Sequence, residues 1–152
     1  MVGPDGKIIG RHRKLNTIAE QWAEPGGRAD AVDWNGLVAG ILVCADAYTD
    51  TAAKDLRAQG ARLLVSPAAW GPGRCGPSGE WEQRSLETGL PLIVCNRTGA
   101  ETKLDFTHAE SLFIKHEEKI LSHSSQRSAV LTFDLGLKEM LPLSNVFRVS
   151  WL

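Results

Sequence analysis

The chain has 152 residues, which is enough for one domain with one hydrophobic core. Its hydrophobic share of 43% and charged share of 23% are ordinary for a soluble globular protein, and a formal net charge of −1 offers no field that would attract nucleic acid or an anionic membrane. No apolar run is long enough to span a bilayer and the first residues form no signal-peptide core, so we expect a cytoplasmic protein without membrane or nucleic-acid partners. The 3 cysteines are widely spaced, which favours neither a disulfide framework nor a zinc site, and we expect no metal or cofactor.

The first third of the chain predicts one strand and a long loop. Pro4-Asp5-Gly6 is a turn signal, and residues 7–14 after it are typical of a strand. The loop covers 15–33, with one helical turn around 18–22. Since no earlier strand is available to pair across the opening turn, we expect the chain to begin within a larger fold.

A short apolar run at 37–44 predicts a strand buried on both faces of a sheet. It ends at Cys44, and the pattern over 51–59 is that of a helix closed by Gly60. The cysteine therefore lies between a buried strand and a helix start. That position provides a fixed backbone and nearby N–H groups, which favour a thiolate.

The rest of the chain predicts a parallel part followed by an antiparallel part. The predicted elements are a strand at 61–66, a helix at 80–88, a strand at 91–95, and strands at 111–115, 119–124 and 128–134. The strand at 37–44, the helix at 51–59 and the strand at 61–66 form a βαβ unit with parallel neighbours, and Ser78 could cap the helix at 80–88. The last three strands read as an antiparallel meander, and the tail from 136 to 152 has no predicted element.

Two side chains could carry chemistry by position alone. Cys44 could be a nucleophile, although an inert buried cysteine is the commoner case. Lys14 could stabilise negative charge on a reacting carbonyl, or be a solvated basic edge.

Trp70 and Asn96 border the ends of the other parallel strands, where ligands bind in such sheets, and could line a pocket or serve packing. The histidines are scattered and a Cys–His dyad stays open for all of them: His12, His108, His116 and His123.

In their order along the chain, these segments resemble the nitrilase superfamily of carbon–nitrogen hydrolases. The resemblance is carried by residues 10–15, 40–46, 60–70 and 81–99, and extends from about 7 to 134. It implies an α/β fold that is part of an α-β-β-α sandwich. The whole chain, 1–152, would form one partial domain with its core at 7–134 and a tail at 135–152.

The resemblance also implies roles for single residues. Cys44 would match the nucleophile and Lys14 the catalytic lysine, while Glu20 would match a second glutamate that supports the site. The backbone N–H of Ala45, at a position where the family usually has an aromatic residue, would form an oxyanion hole together with Lys14. The substrate would be a small amide, nitrile or carbamoyl compound, bound near Trp70 and Asn96, and a homodimer is expected.

One departure from the family is large. The family's general base is a glutamate well before the lysine, but the first glutamate of this chain is Glu20, after Lys14. The initial strands and helices of the sandwich are not recognised either. We therefore expect the C-terminal part of a hydrolase, truncated and weak or inactive as it stands. The alternatives are a non-catalytic pseudoenzyme or assembly module of the same fold, and an unrelated α/β domain with a structural Cys44.

Overall fold

A computed structural model of the chain describes residues 1–17, 22–73, 76–102 and 104–152. The strands are β1 (Val32–Trp34), β2 (Leu37–Ile41), β3 (Leu63–Ala68), β4 (Leu92–Asn96), β5 (Ser111–Lys115), β6 (Glu118–His123), β7 (Ala129–Thr132), β8 (Leu135–Gly136), β9 (Leu141–Pro142) and β10 (Arg148–Trp151). The α-helices are α1 (Thr51–Ala58) and α2 (Glu80–Thr88), and a 3₁₀ helix covers Cys44–Tyr48. None of the helices in these ranges is long and apolar enough to cross a membrane.

Six strands form the main sheet in the order β1-β2-β3-β4-β5-β6. The pairs β2–β3 and β3–β4 are parallel, as the predicted βαβ unit requires, and the flanking pairs are antiparallel. Both parallel connections run through a helix, because parallel neighbours need a crossover. The carboxyl ends of β2, β3 and β4 consequently lie along one edge of the sheet.

The hydrophobic core lies between the sheet and the two helices. Alternate strand residues such as Leu64, Leu92 and Ile114 point into it together with Leu56 and Trp81 of the helices. Close approach is required where β2 crosses α1, since a Cβ on Gly40 would lie 2.7 Å from a methyl carbon of Leu56. The glycine in this strand therefore sets the helix-to-sheet distance.

Both helices end as their sequences predict. After α1, Gly60 has φ 90° and the N–H groups of Gly60 and Ala61 donate to the carbonyls of Arg57 and Leu56, which is a Schellman motif. Gly89 closes α2 at φ 67°. The start of α2 differs from the prediction: Gly79 occupies the cap position, and Ser78 makes no capping hydrogen bond.

The N-terminal prediction was wrong in its pairing. Residues 7–14 form no strand; the opening turn instead brings Ile8 opposite Val2 in a single bridge. The first strand of the sheet is β1, inside the predicted loop. It pairs with β2, and Asn35 and Gly36 form the turn between the two strands. Their φ values of 55° and 85° suit the tight hairpin turn that an Asn-Gly pair favours.

The predicted meander holds only for its first two strands, β5 and β6. β7 pairs with β10 from the unassigned tail, and these two strands form the terminal ribbon. Local patterning does not reveal which distant strand completes a pair, so this pairing could not be read from residues 128–134 alone. The terminal ribbon joins the main sheet through aromatic contacts between Phe113, Phe133 and Phe147, with ring centroids 5.4 and 5.7 Å apart.

Candidate active site

Cys44 lies where the chain leaves the carboxyl end of β2 and turns into the 3₁₀ helix. It is the first residue of that helix and has φ 49°, a left-handed conformation that costs a non-glycine residue about 1–2 kcal/mol. The Cys44 side chain is half-buried, and it packs against the core. A sharp, strained turn of this kind points a side chain away from the direction of the strand. Residues 43–48 are called the cysteine turn below.

The carboxylate of Asp46 is the main polar group of the cysteine turn. Its side chain is fully buried. One oxygen, Oδ1, accepts hydrogen bonds from the N–H groups of Leu15 and Asn16 at 2.8 and 2.9 Å. The other, Oδ2, accepts from the N–H of Val43 at 2.9 Å and lies 2.8 Å from Nε2 of His12. A single carboxylate therefore bonds to two parts of the chain that are about thirty residues apart.

These bonds decide the protonation of the pair. Burial raises the pKa of Asp46, but the hydrogen bonds from His12, Asn16, Val43 and Leu15 outweigh it and hold the pKa below its ordinary value of 3.8. The carboxylate is then ionised at neutral pH and can only accept, so Nε2 of His12 donates. The other ring nitrogen of His12, Nδ1, is buried and has no hydrogen-bond partner among the described residues.

Lys14 lies within residues 12–16, called the lysine segment below. The Lys14 side chain is half-buried, and its carbonyl accepts a hydrogen bond from the N–H of Gly26 at 2.9 Å. The next two residues both donate to Asp46, and the side-chain amide of Asn16 also donates to the carbonyl of Ala45 at 3.2 Å. The backbone that carries Lys14 therefore lies directly against the cysteine turn.

An open cleft of about 400 Å³ lies beside these two segments. It is lined by Leu15, Asn16, Thr17, Pro25, Asp46 and Thr49. The cleft gives a small molecule an approach to the junction of the lysine segment and the cysteine turn.

A second group of contacts holds the far end of the cysteine turn. Tyr48 packs on Trp70 with the rings tilted by 60° and their centroids 4.9 Å apart, and Trp70 meets Trp81 edge to face at 5.0 Å. The buried Arg84 of α2 donates to the carbonyl of Ala47 at 2.9 Å. The sequence does not distinguish Arg84 or His12 from other polar residues, because both stand among charged or polar neighbours. Asp46 has a weak signal, a charge between two alanines just after an apolar run.

The two predicted pocket residues contact each other. The side-chain amide of Asn96 accepts from the N–H of Trp70 and donates to its carbonyl, both at 3.0 Å, and both residues are largely buried. Trp70 lines a cavity of about 130 Å³, whereas Asn96 lines a separate one of about 340 Å³. This clamp holds the loop after β3 against the end of β4, beyond the same sheet edge as Cys44.

Two residues singled out from the sequence lie outside the described residues: the predicted site residue Glu20, and Cys75. Ala45 follows Cys44 in the 3₁₀ helix. Among the residues in the described ranges, no group of three His, Cys, Asp or Glu side chains is arranged to hold a metal ion.

Comparison with known proteins gives consistent matches. A family model described as carbon–nitrogen hydrolase matches residues 1–142. A nitrilase from Pyrococcus abyssi (strain GE5 / Orsay) is 28% identical to this chain. The alignment is 161 residues long and covers 97% of this chain and 58% of that protein.

Solved structures match over a similar extent. A carbon–nitrogen hydrolase from Helicobacter pylori G27 superposes with a TM-score of 0.68 at 23% identity, over 79% of this chain and 49% of that one. A mutant amidase from Nesterenkonia sp. AN1 superposes with a TM-score of 0.64 at 23% identity, over 76% of this chain and 45% of that one. That structure shows covalent addition of the acetamide moiety of fluoroacetamide at the amidase's active-site cysteine.

This chain spans about half the length of the relatives that it matches. At these identities the solved structures establish the fold, and they confirm the predicted fold class, part of a nitrilase-like α/β sandwich.

Proposed function

Because this chain belongs to the carbon–nitrogen hydrolase family, we propose that it acts on non-peptide carbon–nitrogen bonds with Cys44 as its nucleophile. The observation that carries the proposal is the conformation of Cys44 at the sheet edge. Its φ of 49° is strained, and strained residues of this kind cluster at active sites. By analogy, other α/β hydrolases place their nucleophile on a strained strand-to-helix turn.

The proposed reaction has two stages. The Cys44 thiolate attacks the carbon of an amide, the tetrahedral intermediate collapses to a thioester, and the amine leaves with a proton. Water then attacks the thioester, which releases the acid and restores the thiol. A nitrile would first form a thioimidate, whose hydrolysis releases ammonia and leads to the same thioester.

Lys14 and the N–H of Ala45 are proposed to stabilise the negative charge that develops on the substrate. Each donor of this kind typically contributes about 3 kcal/mol to the transition state. The position of the lysine segment against the cysteine turn supports this role, because Leu15 and Asn16 bond to Asp46. Glu20 is proposed to support the site from the loop that follows. Trp70 and Asn96 are proposed to border the substrate because they lie at the carboxyl ends of parallel strands, where ligands bind in such sheets.

A non-catalytic module is the second candidate, and one observation favours it. No glutamate lies between Met1 and Lys14, the side of the lysine on which the resemblance would place the family's general base. We therefore propose that turnover by the chain alone is slow, while the thiol itself retains its reactivity. A homodimer and a cytosolic location remain predictions.

Fluoroacetamide labelling tests the proposal. Trypsin places each cysteine in its own peptide, at 29–54, 75–84 and 85–97, so mass spectrometry can follow all three separately. Cys44 should be labelled first, and Lys14→Met should slow its labelling without changing that of Cys95. Equal labelling of the three thiols would contradict a nucleophilic Cys44.

Ammonia release from a panel of small amides and nitriles then separates the two candidates. Slow release that is lost in Cys44→Ala supports the hydrolase. Rapid labelling with no release from any substrate supports the non-catalytic module.

A further inference from the structure

The lysine segment and the cysteine turn have little regular structure to hold them together. Cys44 begins a short 3₁₀ helix in a left-handed conformation, and residues 12–16 belong to no helix or strand. No backbone ladder fixes one segment against the other. Side chains supply contacts between them: Asn16 donates to the carbonyl of Ala45, and the buried Asp46 bonds to the backbone of both segments.

We propose that Asp46 is the positioning residue of the site: it sets the lysine segment against the cysteine turn, and His12 is its donor partner. The inference rests on the proposed function in so far as these segments carry the nucleophile and the lysine. Asp46 touches no reacting atom in this scheme. It acts by holding Leu15 and Asn16 on one oxygen, and Val43 and His12 on the other.

Asp46→Asn is a sharp test because of this division between the oxygens. An amide has the shape of the carboxylate but only one accepting oxygen. In one orientation its NH₂ faces the N–H groups of Leu15 and Asn16; in the other it faces Val43 and His12. The first orientation leaves two backbone N–H groups without an acceptor. In the second, the N–H of Val43 loses its acceptor, while a neutral His12 can accept from the amide at Nε2. The variant therefore loosens one side of the junction while keeping the side-chain volume.

If Asp46 acts by positioning, its loss should slow the alkylation of Cys44; if it acts only through its charge, its loss should speed that reaction. If Asp46 acted on Cys44 only through its negative charge, its removal would favour the thiolate and speed alkylation. General loosening would also speed alkylation, since it would expose the half-buried Cys44. Loss of the lysine and N–H groups from their positions has the reverse effect, because the thiolate then loses its stabilising partners.

The first measurement is the rate of alkylation by iodoacetamide at neutral pH, followed on the tryptic peptides of Cys44 and Cys95. In Asp46→Asn we expect the rate at Cys44 to fall about tenfold, while Cys95 is unchanged. Asp50→Asn is the matched control. It removes an exposed carboxylate of the same type four residues along the chain, one that pairs with Lys54, and should change neither rate.

The second measurement does not depend on the thiol. Limited trypsin digestion of the folded chain cuts the Lys14–Leu15 bond only when the lysine segment leaves Asp46. Cleavage there should be at least about tenfold faster in Asp46→Asn, whereas cleavage after the exposed Lys138 should keep its wild-type rate.

His12 variants provide the second arm. His12→Gln keeps an N–H donor for Asp46 without an imidazole and should retain both wild-type rates, while His12→Leu should reproduce the Asp46→Asn changes. If Asp46→Asn raised cleavage equally at Lys14 and Lys138, the variant would have lost its fold. The cleavage rates after Lys14 and Lys138 in His12→Leu would then decide whether the Asp46–His12 contact holds the lysine segment.

Unchanged cleavage after Lys14 in a folded Asp46→Asn chain, or faster alkylation of Cys44, would overturn the proposal. Equal alkylation of Cys44 and Cys95 in the wild type is a different result. It would contradict the nucleophile, while the trypsin arm would still decide whether Asp46 positions the lysine segment.

Discussion

The cysteine turn and the terminal ribbon are held in place by opposite means. In the cysteine turn, a fully buried carboxylate accepts hydrogen bonds from backbone and side-chain donors of two segments. The terminal ribbon is a two-stranded ladder whose last strand, β10, is exposed throughout. Its ion pair between Arg148 and Asp134 is also exposed, although its N–O distance of 2.8 Å equals that between His12 and Asp46.

The difference shows that bond length does not measure importance. When an exposed ion pair is broken, both partners bond to water instead, so the net change in free energy is small. Buried donors have no such alternative, so removal of their acceptor leaves each of them unsatisfied. The cysteine turn therefore depends on buried polar contacts, and the ribbon should tolerate changes that the cysteine turn does not.

The largest expected effect comes from Asp46→Ala. The N–H groups of Leu15, Asn16 and Val43 and the ring of His12 would all lose their acceptor inside the protein. We expect the free energy of unfolding to fall by about 3 kcal/mol, measured by urea denaturation followed by circular dichroism.

Arg148→Ala is the matched variant in the terminal ribbon. It removes an ion pair of equal length, yet both partners are exposed, and the urea midpoint should not change measurably. A loss as large as that of Asp46→Ala would contradict the contrast between the two regions.

A smaller effect should appear on acidification. The pKa of Asp46 is lower in the folded chain than its ordinary value of 3.8, so its stabilising contribution is complete above that value. The contribution is lost as the pH falls through the folded pKa. The stability gap between the wild type and Asp46→Asn should therefore narrow once the pH falls below about 4.

Exposed carboxylates do not disturb this comparison. Asp50, Asp105 and Asp134 also have lowered pKa values, owing to their partners Lys54, Thr107 and Arg148. They titrate alike in the two chains and cancel in the difference. A gap that stayed constant to pH 2 would mean that Asp46 is not ionised in the folded chain.

The same contrast explains what the sequence could predict. The helix bounds of α2, the strand β5 and the parallel order of β2, β3 and β4 depend on local patterns of apolar residues and on glycines at helix ends. The position of Cys44 after a buried strand follows from the same patterns. These features lie within windows of ten or twenty residues.

Contacts between distant segments could not be predicted in this way. Nothing near Asp46 indicates that its partners are His12 and Leu15, and nothing in β7 indicates pairing with β10. The Asn35-Gly36 turn is different, since an Asn-Gly pair is a known hairpin signal and was overlooked. Long-range polar contacts thus determine the details of the site, while local patterns determine the frame that carries it.

The smallest expected effect tests the strained backbone of the cysteine turn itself. Cys44→Gly and Cys44→Ala both remove the thiol, but only glycine adopts a φ of 49° without a steric penalty. We expect the glycine variant to be more stable by about 1 kcal/mol in urea denaturation. The control is Ala58→Gly, at an exposed position in α1, which should destabilise by about the same amount.

The background of this last comparison links it to the buried carboxylate. In Asp46→Asn, the turn is held less firmly and can relax from its left-handed conformation, so the advantage of glycine over alanine at residue 44 should shrink. An alanine variant as stable as the glycine variant in both backgrounds would mean that the turn is not strained. A glycine advantage that depends on Asp46 would mean that the buried contacts maintain a strained cysteine, although a relaxed residue would make the fold more stable.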